Sequence, residues 1–133
     1  MGNKITIPIN SELDIVVARQ KGREMAKEFG FATVDLALIA TAISELTRNI
    51  ISYGKKGTVD LELIEEQGRK GIVVIAKDDG PGIESIELAM QDGYSTSQSL
   101  GLGLPGVRRL MDDFDIHSTL GAGTTVTTKK WIS

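Results

Sequence analysis

The chain contains no cysteine and only three prolines, one tryptophan and one histidine, and aromatic residues make up just 5% of its 133 positions. Without cysteine there is no disulfide framework, no thiol nucleophile and no thiolate-held zinc or iron–sulfur centre. The lone histidine, His117, has no second ligand or nucleophile near it in sequence and reads as a surface or partly packed residue, not a phosphoacceptor. No run approaches the roughly 20 apolar residues that span a bilayer, and Met1–Thr6 lacks a basic segment followed by an apolar signal core. Basic residues occur as short clusters such as Lys55-Lys56 and Lys129-Lys130 in a chain of net charge -3, which argues against a nucleic-acid footprint. What is present, 41% hydrophobic and 25% charged residues without a long like-charge block, is the composition of a folded domain. The expectation is one soluble domain over residues 1–133, cytoplasmic, with neither nucleic acid nor membrane as partner.

Apolar periodicity divides the chain into elements. Ile5, Ile7 and Ile9 alternate as in a half-buried strand, and Pro8, lacking an amide donor, places it at a sheet edge. Ser11 and Asp14 make a capping-box-like helix start, followed at helical spacing by Ile15, Ala18, Gly22, Met25, Ala26 and Phe29, with Gly30 as the stop. A second helix is predicted from a Thr33 cap to about Tyr53, with Ile39, Ile43, Leu46 and Ile50 as its apolar stripe. From Thr58 the period becomes two, with Val59, Leu61 and Leu63 inward and Asp60 and Glu62 wet. After a turn over 67–71, Ile72–Ala76 is apolar throughout, as in a central strand buried on both faces. A short helix is predicted over 84–92, a Gly/Ser/Thr-rich segment over 93–102, and a helix face from Leu104, Val107, Leu110, Met111 and Phe114. Phe114–Thr119 and Thr124–Ile132 then form a hairpin around Gly121-Ala122-Gly123, with Trp131 packed on the sheet. This order predicts an α+β two-layer sandwich with a mixed sheet covered by helices on one face.

Three segments carry chemistry. Four positions apart on the second helix, Glu45 and Asn49 lie within about 40° of each other, on a flank of the apolar stripe. A carboxylate there can take a proton from an attacking hydroxyl, and an amide oxygen there can ligate Mg²⁺; an ordinary polar helix flank is the bland alternative. Asp78 arrives at a strand end in Asp78-Asp79-Gly80-Pro81-Gly82, where a carboxylate can accept a hydrogen bond from a purine amine and the glycines admit a flat ring. The same residues also make a plain turn. Gly101-Leu102-Gly103-Leu104-Pro105-Gly106 opens a helix, whose free amides favour phosphate. It lacks the preceding strand of a dinucleotide fingerprint, and no P-loop lysine follows a glycine pair anywhere.

The ordered trio resembles the Bergerat-fold (GHKL) ATPases shared by gyrase, Hsp90 chaperones, histidine kinases and MutL proteins. Glu45 and Asn49 match the N box, Asp78-x-Gly80-x-Gly82 the G1 box, Gly101-x-Gly103 the G2 box, and Gly121-x-Gly123-Thr124 a later box. The resemblance implies the Bergerat sandwich, with a mainly antiparallel sheet. It also implies Glu45 as catalytic base, Asn49 on Mg²⁺, Asp78 with Thr124 on adenine, and residues 93–100 as an ATP lid. Gly80, Gly82, Ile83, Thr96, Gly101, Leu102, Gly103 and Leu104 complete the implied ATP contacts. A length of 133 leaves no room for a transducer or a dimerisation stem, so the chain looks like the small serine/threonine kinases of bacterial partner-switching systems. That likeness implies STAS-domain antagonist and scaffold proteins of the stressosome as substrates and a serine phosphatase as the partner activated afterwards. The alternatives are an anti-sigma factor of the same fold and a nucleotide sensor without turnover.

Overall fold

The computed structural model describes residues 4–54, 56–80, 90 and 103–132. Strand β1, Lys4–Ile9, leads into helix α1, Glu12–Phe29. The Asp14 carboxylate fixes the start of α1 by accepting the backbone N–H groups of Asn10 at 2.8 Å and Ser11 at 3.1 Å, amides that no helical carbonyl reaches. Gly30 ends the helix in the left-handed conformation, returning its N–H to the carbonyls of Ala26 and Lys27. Helix α2, Thr33–Asn49, is capped by Ala32 and not by Thr33. Thr33 is already helical, and no side-chain oxygen closes the first turn. The stripe Ile39, Ile43, Leu46 and Ile50 is buried as expected.

The α-helical geometry of α2 stops at Asn49, earlier than the predicted Tyr53, and Ile50–Gly54 forms a π turn. The wider turn keeps Ile50 in the core while the chain swings towards β2, Gly57–Glu66. A two-residue turn at Gln67 and Gly68 joins β2 to β3, Arg69–Asp78. Helix α3, Gly103–Leu110, and the hairpin of β4, Asp113–Thr119, and β5, Gly123–Trp131, complete the described chain. Phe114, which the sequence places both on the α3 face and at the start of the hairpin, belongs to β4 and reaches the core from the sheet side. The short helix predicted over 84–92 and the segment over 93–102 fall on residues that, apart from Met90, lie outside the described ones.

The strands lie in the order β1-β2-β3-β5-β4, with β1 at the edge and β3 at the centre. The mainly antiparallel sheet is antiparallel at all four described pairings, so the parallel pair of a mixed sheet does not occur among the described residues. Register sorts the side chains into two faces. Ile7, Val59, Ala76, Val126 and Ile116 lie in one cross-strand row, and Ile5, Leu61, Val74, Thr128 and Phe114 in the next. This face meets Ala18 and Ala26 of α1, Ile39, Ile43 and Leu46 of α2, and Leu104 and Val107 of α3 in one core.

The opposite face carries Thr125, Thr127, Lys129, Lys77 and Glu62, with Val73 buried among them. Asp60 on this face, expected to be wet, is 7% exposed. It accepts the Thr6 hydroxyl at 2.7 Å across the β1–β2 ladder, a partner that local periodicity does not reveal. Trp131 lies on the sheet as expected: the Arg69 guanidinium stacks 4.4 Å from its ring centre, and its Nε1 donates to Asp113 at 2.9 Å. His117 is exposed beside Asp115 at 2.7 Å, as a surface residue.

Candidate active site

The helix-facing rows of the sheet end at Asp78, the last residue of β3, with Gly57 opposite it on β2 and Thr124 opposite it on β5. Ser118 of β4 pairs with Thr124. Period-two alternation from Val74 and Ala76 puts the Asp78 side chain on the helix side, where the apolar core gives way to polar groups. Its carboxylate accepts the Gly80 N–H at 2.9 Å and is also hydrogen-bonded by the Thr124 backbone. Burial nevertheless pushes the Asp78 pKa above the ordinary aspartate value, the two backbone hydrogen bonds oppose the shift, and the neighbouring Asp79 charge adds to it. The group is an acceptor fixed in direction and drawn partly out of water, as recognition of an amine requires.

Two residues shape this end of the sheet: Ser118, which no sequence motif singles out, and Gly123 of the later box. Ser118 Oγ shares a hydrogen bond of 2.9 Å with Thr124 Oγ1 and also reaches the Gly123 carbonyl at 3.3 Å, which fixes the threonine hydroxyl. Gly123 has φ +101, and a Cβ there would collide with the Asp78 carbonyl oxygen and approach the Asp79 Cα at 3.1 Å. Only glycine lets β5 come this close to the Asp78 backbone. The glycine was legible as part of a turn, but its contact partner lies some forty-five positions away and is visible only once β3 and β5 are paired.

The second wall is α2. Glu45 is 1% exposed, and its Oε1 has no hydrogen-bond partner among the described residues. A buried carboxylate oxygen without a partner is costly in a finished fold, and such a group commonly waits for a ligand or carries a reaction. Asn49, one turn on, is half-buried at the last position of the α-helix, just before the π turn. Arg48, which belongs to no candidate motif position, also has a buried Nε without a hydrogen-bond partner among the described residues. The structure joins the two walls through Ile50: a Cβ on Gly57 would lie 3.0 Å from the Ile50 side chain, and Gly57 pairs with Asp78. Asn49 therefore precedes a residue that packs against the strand neighbour of Asp78.

Helix α3 packs against α2 and supplies the third wall. Gly103 begins it with φ +55, and the Leu104 side chain is buried in the core, so Leu104 has only its backbone to offer a ligand. Gly82, Ile83, Thr96, Gly101 and Leu102 of the expected set lie outside the described residues. Among the described residues no cluster of three or more His, Cys, Asp or Glu side chains is placed to hold a metal alone. A hard cation such as Mg²⁺ takes oxygen ligands from carboxylates, amide carbonyls, waters and bound phosphates. Asn49, at the junction of the two walls, has the hard amide oxygen to hold such an ion.

Residues 34–131 match the family described as histidine kinase-, DNA gyrase B-, and HSP90-like ATPase. The serine/threonine-protein kinase RsbT of Bacillus subtilis (strain 168) is 52% identical over 132 residues, covering 99% of both chains. An anti-sigma F factor of Thermoanaerobacter sp. (strain X514) is 35% identical over 103 residues, 74% of this chain and 71% of that protein. Among solved structures, the RsbU and RsbW domains of a Mycobacterium tuberculosis protein superpose with a TM-score of 0.68 at 19% identity, over 96% of this chain and 32% of theirs. The mycobacterial sensor histidine kinase MprB gives 0.57 at 14% identity, over 96% of this chain and 97% of its own; both likenesses speak for the fold alone. The chain belongs to the histidine kinase-, DNA gyrase B- and HSP90-like ATPase family and is one of its serine/threonine-protein kinases.

Proposed function

We propose that the chain is the cytoplasmic, ATP- and Mg²⁺-dependent switch kinase of a partner-switching stress response, formed by a single domain over residues 1–133. In this reading it phosphorylates STAS-domain antagonist and scaffold proteins of a stressosome, and the released kinase then binds and activates a serine phosphatase. The observation that carries the catalytic part is Glu45: a carboxylate 1% exposed, with one oxygen unpartnered among the described residues, one helical turn before Asn49. Full-length identity of 52% to RsbT supports the choice of system.

Each residue has a distinct task. Asp78, aimed by Gly80 and the Thr124 backbone, accepts the amine of adenine, and the threonine hydroxyl held by Ser118 completes that contact. Gly80, Gly82 and Ile83 border the ring, while Gly101, Leu102, Gly103 and Leu104 give backbone N–H groups to phosphate and Thr96 reaches it from the lid. Glu45 removes the proton from the partner's serine or threonine hydroxyl as that oxygen bonds to the γ-phosphorus and the bond to ADP breaks. The Asn49 amide oxygen would help hold a Mg²⁺ ion brought with the phosphates, and that ion would supply neutralisation of phosphate charge. Full burial of Glu45 keeps water from competing for the same base.

The test is phosphotransfer from labelled ATP to a purified STAS-domain partner. Label on a partner serine or threonine, lost on Glu45→Ala, is expected; equal transfer by the variant would remove Glu45 from its role. A second reading, an anti-sigma factor that sequesters a sigma subunit, has the 35% identity to an anti-sigma F factor in its favour. Binding assays against a sigma factor and a STAS protein in parallel separate the two.

A further inference from the structure

Strand β5 carries a lysine where its alternation calls for an apolar residue. Val126 and Thr128 face the helices and so, two residues on, does Lys130, in the cross-strand row of Leu63 and Ile72. Lys130 is 8% exposed, so its ammonium has left most of its water and needs fixed partners. It finds them at the end of α3. The Lys130 Nζ donates to the Leu110 carbonyl at 2.9 Å and lies 3.6 Å from Asp112 Oδ1. That carbonyl is one of the last four of the helix, which helical amides leave unbonded and where the dipole favours a cation. The other Asp112 oxygen accepts the Trp131 N–H at 2.7 Å, and the Asp112 N–H donates to the Lys129 carbonyl at 2.9 Å. Leu110 and Asp112 are thus tied to Lys129, Lys130 and Trp131 of β5.

An apolar side chain would fill this row without taking a charge out of water. What the charge adds is direction. Leu104 and Val107 bury one side of α3 where it packs on α2, but apolar packing is non-directional and leaves tilt and axial slide to be fixed by other contacts. The clamp fixes them at one end, and the other end begins with Gly103 and Leu104, whose backbone N–H groups belong to the expected phosphate contacts. About seven steps of about 1.5 Å separate the two ends, so a tilt of about 6° at Leu110 displaces Gly103 by about 1 Å. A shift of about that size takes a hydrogen bond of about 2.9 Å out of range. At its opposite end β5 carries Thr124, paired with Asp78. One strand locates both the residues expected at adenine and the helix expected at phosphate.

We propose that Lys130 is a positioning residue for the phosphates of the nucleotide: with Asp112 it pins the C-terminal end of α3 to β5 and so sets where the first turn of α3 presents its N–H groups. The inference rests on the kinase reading for the identity of the ligand and extends the site to a residue outside the motif segments, one that acts through α3 alone.

The test measures the Kd of ATP with Mg²⁺ and of adenosine, which has the ring but no phosphates, for the native full chain, Lys130→Met and Asp112→Ala. Lys130→Met keeps the length of the side chain and removes the donor. Its ATP Kd is expected to rise about tenfold, the size of one lost hydrogen bond to a charged group, while its adenosine Kd stays within about twofold of native. Asp112→Ala, at an exposed position, loosens the same clamp and should raise the ATP Kd about threefold or more with adenosine again spared; it decides the matter if Lys130→Met does not fold. Equal weakening of ATP and adenosine would mean a general loosening of the fold and would overturn the proposal, as would native ATP affinity in both variants. Failure of the native chain to bind ATP would overturn the kinase reading and the phosphate role with it, whereas native binding left unchanged by the substitutions overturns the positioning role alone.

Discussion

At the strand end of the site, Asp78 accepts the Gly80 N–H and a backbone hydrogen bond from Thr124, and the Thr124 hydroxyl is tied to Ser118. On α2, Glu45 is more deeply buried, yet Glu45 Oε1 and Arg48 Nε have no partners among the described residues. Both walls carry a carboxylate at the edge of the same core. Under the proposed function the difference divides the labour: a group whose hydrogen bonds are already made is aimed and suits recognition, and one left short of partners suits the taking of a transferred proton.

Removing the carboxylate of Glu45 sharpens the contrast most. Glu45→Gln keeps the volume and removes the carboxylate proposed as the base, so phosphotransfer is expected to fall about 10²–10⁴-fold, with the melting temperature kept or raised, since a buried carboxyl short of partners is gone. Single-turnover transfer and a thermal melt check both. Asp78→Asn breaks the other wall. It should weaken nucleotide binding by about 1.5–3 kcal/mol, tenfold or more in Kd, read by calorimetry.

The pH dependence of stability has a definite sign at Asp78. A folded-state pKa raised by burial means that the folded protein favours the neutral carboxyl. That stabilisation is complete below the unfolded-state pKa and is lost as pH rises through the folded value, so the ionised group is a net cost at neutral pH. Asp78→Asn should therefore leave neutral-pH stability unchanged or higher, and the native chain should gain on the variant as pH falls through that window. Denaturant melts at several pH values measure the crossover; a variant that is less stable at neutral pH would contradict the assignment.

Gly123→Ala probes the fit beneath the strand-end wall. A Cβ against the Asp78 carbonyl at φ +101 should cost about 1–3 kcal/mol, seen as a melting temperature lowered by several degrees. The smallest expected effect is that of Ser118→Ala, which frees the Thr124 hydroxyl: about 0.5–1.5 kcal/mol in nucleotide binding or stability, with the transfer rate of the bound complex intact.

How much of this was legible in the residues depends on the range of the interaction. The start of α1 at Ser11 and Asp14, its stop at Gly30 and the β4–β5 hairpin rest on contacts within a few positions, and the structure contains each of them. Asp60 read as solvated because its partner Thr6 lies on another strand, fifty-four positions away. Ile50, where the π turn begins, packs over Gly57, a contact between distant positions that helical periodicity cannot express. Glu45 and Asp78 stood out because motif spacing carried them, whereas Ser118 and Arg48 belong to no short pattern. Their places follow only from the assembled sheet and its helices.

The most direct test of divided labour is one paired experiment: nucleotide Kd and single-turnover phosphotransfer rate measured side by side for the native chain, Glu45→Gln and Asp78→Asn. The expected result is a Kd within about threefold of native with a transfer rate at least about 10²-fold lower for Glu45→Gln, and a Kd raised about tenfold or more for Asp78→Asn, whose saturated transfer rate stays within about tenfold of native. Equal losses of affinity and rate in both variants, or a native transfer rate in Glu45→Gln, would contradict it.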